Sequence, residues 1–153
     1  MISLGPIMLG TTMALLGVAL AGSAVLPWYS ADLPGGSLTA AGVEVSGELW
    51  LLPLFGAAIL VAGVAVVARA GPVAREWAGA MAIVSGALAS LLAVRAAYFA
   101  PVEVTVRDAS GASTVAVASE TLPLAALSIA AAIAAMIVGG VVRRSARRER
   151  ATP

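Results

Sequence analysis

Residues 49–100 read LWLLPLFGAAILVAGVAVVARAGPVAREWAGAMAIVSGALASLLAVRAAYFA, two apolar runs separated by the turn Ala70-Gly71-Pro72. A hydrocarbon core of ~30 Å is crossed by ~20 residues of helix, and each run meets that length. The stretch is therefore expected to form transmembrane helices over residues 49–70 and 73–100. A connection this short joins antiparallel neighbours, so the two helices make a hairpin.

Working outward, residues 5–27 and 122–142 supply two further spans of sufficient length. Ala19-Leu20-Ala21 resembles a signal-peptidase site, but no Lys or Arg precedes the apolar run, so the first segment is expected to stay as a span. Across 153 residues the chain is 61% hydrophobic and 11% charged, far more apolar than a soluble domain. The expectation is one all-α membrane domain: a four-transmembrane-helix bundle, outer loops at residues 28–48 and 101–121, and a basic tail at 143–153. All nine basic residues are arginine and Ala, Gly and Val abound, as in GC-rich bacteria such as actinobacteria.

Arginine placement sets the expected orientation, because basic residues are retained on the cytoplasmic side. Arg143, Arg144, Arg147, Arg148 and Arg150 follow the fourth span, and Arg69 and Arg75 flank the short turn. Both termini are thus expected in the cytoplasm of a bacterial inner membrane. The loops on the other side hold Asp32, Glu44, Glu48, Glu103, Asp108 and Glu120 against Arg107. Trp28, Tyr29, Trp50 and Tyr98 fall at outer ends of spans and Trp77 at an inner end, where interface anchors are expected. Pro27, Pro72, Pro101 and Pro123 lie near helix ends, where a missing N–H costs little, and Pro53 lies in a first turn.

Inside lipid, helices associate through close contact of small residues. Gly10, Ala14, Gly17 and Ala21 share a stripe in the first span. Gly79, Ala82, Gly86, Ala89 and Ala93 do so in the third, and Gly56 and Gly63 repeat the spacing in the second. Such stripes serve packing within one bundle or docking of another membrane protein, and the spacing alone does not separate the two.

Both outer loops carry strand signals. Val102, Val104 and Val106 alternate with Glu103, Thr105 and Arg107; Asp108-Ala109-Ser110-Gly111 supplies turn chemistry, and Val115 and Val117 resume the alternation. A β-hairpin is expected. In the first loop a second hairpin is expected from Leu38-Thr39-Ala40 and Val43-Glu44-Val45 around Ala41-Gly42, preceded by the turn Leu33-Pro34-Gly35-Gly36. Because isolated two-stranded hairpins are marginal, the pair is expected to merge into one sheet capping the bundle.

With no cysteine and no histidine, the chain by itself offers no disulfide, thiolate, imidazole or Cys/His metal chemistry. Thr11, Thr12, Ser85, Ser90 and Ser128 are the main polar groups at membrane depth, and none has a visible base. No catalytic residue, cofactor or metal is expected. Arg95 is the ionisable residue inside a span, ~7 to 8 Å of helical rise from Pro101, so it is expected to snorkel or to pair with an outer carboxylate, Glu103 or Glu120. The arginine tail is expected to orient the chain and to contact acidic lipid; without interleaved aromatics it is not expected to bind nucleic acid.

From Pro27 to about Ala97, the order Pro27-Trp28-Tyr29, a polar loop, Val43-Glu44-Val45-Ser46-Gly47, Pro53-Leu54 and two Ala/Gly-rich spans resembles the actinobacterial tryptophan-biosynthesis-associated membrane protein family. The resemblance covers roughly half the chain. It implies a small inner-membrane protein of undefined role and carries over no catalytic residue. The architecture is also similar to that of claudins, whose paired loop cysteines are missing here. Three functions are consistent with these features: a non-catalytic accessory subunit contacting lipids and other integral membrane subunits, a small transporter or channel-like oligomer, and a receptor-like module that binds through the cap.

Overall fold

The computed structural model describes residues 4–33, 36–45, 47–68, 70–98, 103–107, 113–117, 120–121 and 123–151. In chain order these form α1 (Leu4–Ser23), β1 (Pro27–Leu33), β2 (Gly36–Ala41), a single turn α2 (Gly42–Val45), a 3-10 turn (Gly47–Trp50) and α3 (Leu51–Val67). There follow α4 (Pro72–Tyr98), β3 (Glu103–Arg107), β4 (Ser113–Val117), β5 (Glu120–Thr121) and α5 (Pro123–Ala151). The four long helices are long and apolar enough to cross a membrane, the second of them counted from Gly47.

Burial runs opposite to that of a water-soluble bundle. Alanine, glycine and serine make up much of the interior, including Ala82, Ala89, Ala132 and Ser128, beside a few large side chains such as Met13, Leu20, Leu52 and Ile59, while Leu15, Val61, Leu91 and Ile137 point outward at 61% exposure or more. Lipid is as apolar as leucine, so no hydrophobic drive pulls large side chains inward, and small ones let backbones approach. The helices form a ring in the order α1, α3, α4, α5, and α1 on α3 and α4 on α5 are the extensive packings. The expected α3–α4 hairpin is present, but its packing is less extensive than that of those two pairs, and α1 on α5 is looser still.

The first helix ends at Ser23, not at the expected residue 27. The amides of Val25 and Leu26 turn back onto the carbonyls of Gly22 and Ser23, and the Trp28 indole N–H donates to the Ser23 carbonyl at 2.7 Å. The freed chain becomes β1. At the other extreme, α5 does not stop at residue 142 but continues through the arginine tail, with Ala146 buried. Its 29 residues reach ~44 Å, beyond the ~30 Å core.

The loop end differs in two ways from the expected single sheet. β1 pairs with β2, from Leu33↔Gly36 to Pro27↔Ala41, whereas Val43-Glu44-Val45 belongs to α2. The Ala41 amide donates to the Glu44 carboxylate at 2.9 Å, the reach-back of a capping box, which turns an apparently alternating segment into a helical turn. The second hairpin forms as expected, with Val104↔Ala116 and Val106↔Thr114 paired, but β3–β4 is a sheet of its own. Among the described residues, the second loop's strand pairing to the first runs through β5, which adds to β1 in the order β2-β1-β5, while β4 also lies near β1. The expected turns at residues 34–35 and 108–111, and Arg69, lie outside the described residues.

Candidate functional site

Side chains that combine burial with polar contacts gather at the two ends of the bundle. At the loop end, Trp28 and Tyr29 are 0% and 2% exposed. They were expected as interface anchors and are instead core residues, because helix α1 ends early and β1 folds them over the bundle. The Trp28 ring lies against Gly42, where an added Cβ would come within 3.1 Å of it. The Tyr29 hydroxyl donates to the Ala96 carbonyl at 2.9 Å, near the end of α4, and burial pushes its pKa upward. Trp50, Trp77 and Tyr98 do sit exposed near helix ends, at 61, 72 and 67%.

Arg95 extends outward, 65% exposed, and pairs with Glu48 at 3.0 Å. An ion pair with an outer carboxylate was expected, but Glu48 had not been singled out. The 3-10 turn that carries Glu48 packs against α4 and delivers it there. Glu103 and Glu120 have their backbones in β3 and β5, and their side chains lie outside the described residues.

At the basic end, α4 and α5 run side by side and interleave their charges. Glu76 of α4 receives Arg147 at 2.7 Å and Arg150, with Arg143 at 3.9 Å; Arg75 pairs with Glu149. Glu76, only 18% exposed, is the hub of this cluster. It escapes a reading of the sequence because the tail looks like a plain charge run. The signal was available: Arg143, Arg147 and Arg150 repeat at helical spacing, opposite the span that holds Arg75 and Glu76.

Along the bundle, the expected glycines meet one another. A Cβ at Gly17 would lie 2.6 Å from the Gly56 carbonyl, one at Gly63 2.6 Å from that of Gly10, and one at Gly79 2.6 Å from that of Gly139. Gly86 faces the Ala132 carbonyl at 2.7 Å in the same sense. These stripes are used for packing within the chain, and Gly139 is the partner that sequence spacing had not identified. The α3–α4 seam lacks such contacts and leaves an apolar groove of about 470 Å³.

Hydroxyls near membrane depth are turned back on their own helices. Thr12 donates to the Met8 carbonyl, Ser90 to that of Ala87 and Ser128 to that of Leu124. Among the described residues no group of His, Cys, Asp and Glu could hold a metal ion. No protein-family model matches the chain, and no curated protein or solved structure is significantly similar to it.

Proposed function

We infer that the chain is a non-catalytic accessory subunit of a larger bacterial inner-membrane complex, with both termini in the cytoplasm. The observation that carries this reading is the commitment of polar groups among the described residues. Glu48 and Arg95, Glu76 with its arginines, and Arg75 with Glu149 are spent on ion pairs, and the hydroxyls of Thr12, Ser90 and Ser128 on their own helices. A transport path needs polar groups facing a cavity at mid-membrane or broken helices there, whereas α1, α3, α4 and α5 run unbroken around a largely apolar interior rich in Ala and Gly. What the fold carries instead is a structured loop end: two small sheets, β2-β1-β5 and β3-β4, above a girdle of apolar side chains. The arginine-rich end faces the cytoplasm and the acidic loops face outward by the retention of basic residues.

The test is extraction of tagged protein from its native membrane in mild detergent, followed by mass spectrometry with quantified stoichiometry. Stoichiometric recovery of other integral membrane subunits is expected. Recovery of this chain alone, as monomer or homo-oligomer, contradicts the accessory reading.

A further inference from the structure

The α3–α4 groove and the arginine cluster are adjoining parts of one surface. The groove is lined by Val61 and Ala65 of α3 and by Ala74, Trp77, Met81 and Val84 of α4. A second recess, of about 260 Å³, lies between α4 and α5 and is lined by Glu76, Arg143 and Arg150. Trp77 and Ala80 line both, so a single side-chain wall separates an apolar trough from a basic one. We propose that this surface binds one anionic phospholipid, its phosphate in the arginine recess and an acyl chain in the groove, with Trp77 between them.

Three features fix the class of occupant. The first is charge: three arginines surround the lone carboxylate of Glu76, leaving the recess cationic after every pair is made. Each basic residue beside an acidic leaflet favours the anion by about fivefold. The second is lining: along α4 the groove runs from Ala74 to Val84, ~15 Å of helical rise, which is the depth of one leaflet. A transmembrane helix of a partner would require a trough across the whole core. The third is position: α5 carries its arginines beyond its apolar stretch, alongside the first turns of α4, which is headgroup depth. Trp77, 72% exposed, marks the same level with an apolar ring and a polar edge. The site draws on the positive charge left over after the Glu76 pairs and stands whether or not other subunits are present, since it concerns lipid on a face of the isolated bundle.

The test uses the full chain carrying Trp50→Phe, reconstituted in phosphatidylcholine vesicles. Trp28 is fully buried, so Trp77 then reports lipid contact. Emission is compared with a low, equal fraction of either phosphatidylglycerol or phosphatidylcholine brominated on its acyl chains. Stronger quenching by the brominated anionic lipid is expected. It should fall to parity in Arg143→Gln/Arg150→Gln, and should also fall in Ala65→Phe, which fills the groove without changing charge and guards against misfolding of the arginine variant. Excess inorganic phosphate should leave the preference in place. Equal quenching by the two lipids overturns the proposal, as does a preference that survives both variants or is abolished by free phosphate. A dimer that shields Trp77 from both lipids would assign the groove to a second copy and overturn it as well.

Discussion

The bundle contains two kinds of helix seam. Within the pairs α1–α3 and α4–α5, glycine faces backbone, and a hypothetical Cβ would come within 2.6 Å of a facing carbonyl at Gly17, Gly56 and Gly79. Between the pairs, α3 and α4 are joined by the shortest connection between any two of the four long helices yet leave a groove. Connection length determines which helices are neighbours; side-chain size determines how deeply they engage. The pairs share a buried cluster of Met13, Ala62, Val66, Ala78, Ala82 and Val142, and are clipped at the loop end, where Tyr29 of β1 and Glu48 beside α3 reach Ala96 and Arg95 of α4.

If the loop end joins the pairs, its largest element should matter most. Trp28→Ala removes the ring that caps α1 and fills the outer core cluster containing Ala93 and Ala96. A loss of ~3–5 kcal/mol is expected from unfolding by SDS in mixed micelles. At the opposite end, Glu76→Gln leaves three arginines facing one another within the α4–α5 pair. The same assay should show a loss of ~1.5–3 kcal/mol, the range for hydrogen bonds to charged groups, with fraying of α5 detectable as faster amide exchange after Arg143.

Tyr29→Phe cuts one clip between the pairs and should cost ~1 kcal/mol at neutral pH. Its pH dependence sharpens the test. Burial raises the folded-state pKa of Tyr29 above the unfolded tyrosine value, so its contribution is fully present below ~pH 10 and is lost as pH rises through the folded value. The Phe variant should lack that alkaline loss. Smallest is Arg95→Gln: with side chains 65% and 48% exposed, the pair with Glu48 should contribute only ~0–1 kcal/mol, and less at high salt. A larger effect would show that this clip, rather than the aromatic residues, joins the pairs.

The four spans were legible because each apolar run exceeds the length a membrane requires, and the adjacency of α3 and α4 followed from their short connection; the more extensive packings of α1 on α3 and α4 on α5 lie across long loops and did not. The glycines were legible as a stripe but not as a pairing, since spacing on one helix does not say which helix faces it. Trp28 and Tyr29 misled because an aromatic at the end of an apolar run reads the same whether it floats at the interface or folds over the core. The difference lay in the Ser23 carbonyl that the indole caps and in Gly42, which makes room for the ring. Val43-Glu44-Val45 misled by alternation, because a three-residue pattern fits a strand and a single helical turn alike. The Glu76 cluster was missed because its members lie about seventy positions apart and only the antiparallel packing of α4 on α5 brings them together.

The seam contrast is tested most directly by placing the same leucine at adjacent positions of α3. Gly56 faces the α1 backbone, whereas Ala57 is exposed toward lipid. In SDS titrations of purified protein, Gly56→Leu should lose ~3 kcal/mol or more, because the carbonyl of Gly17 and the amide of Ala21 cannot yield as a flexible side chain would. Ala57→Leu should stay within about 0.5 kcal/mol of the parent. Equal stability of the two variants would contradict packing of α1 on α3 through glycine.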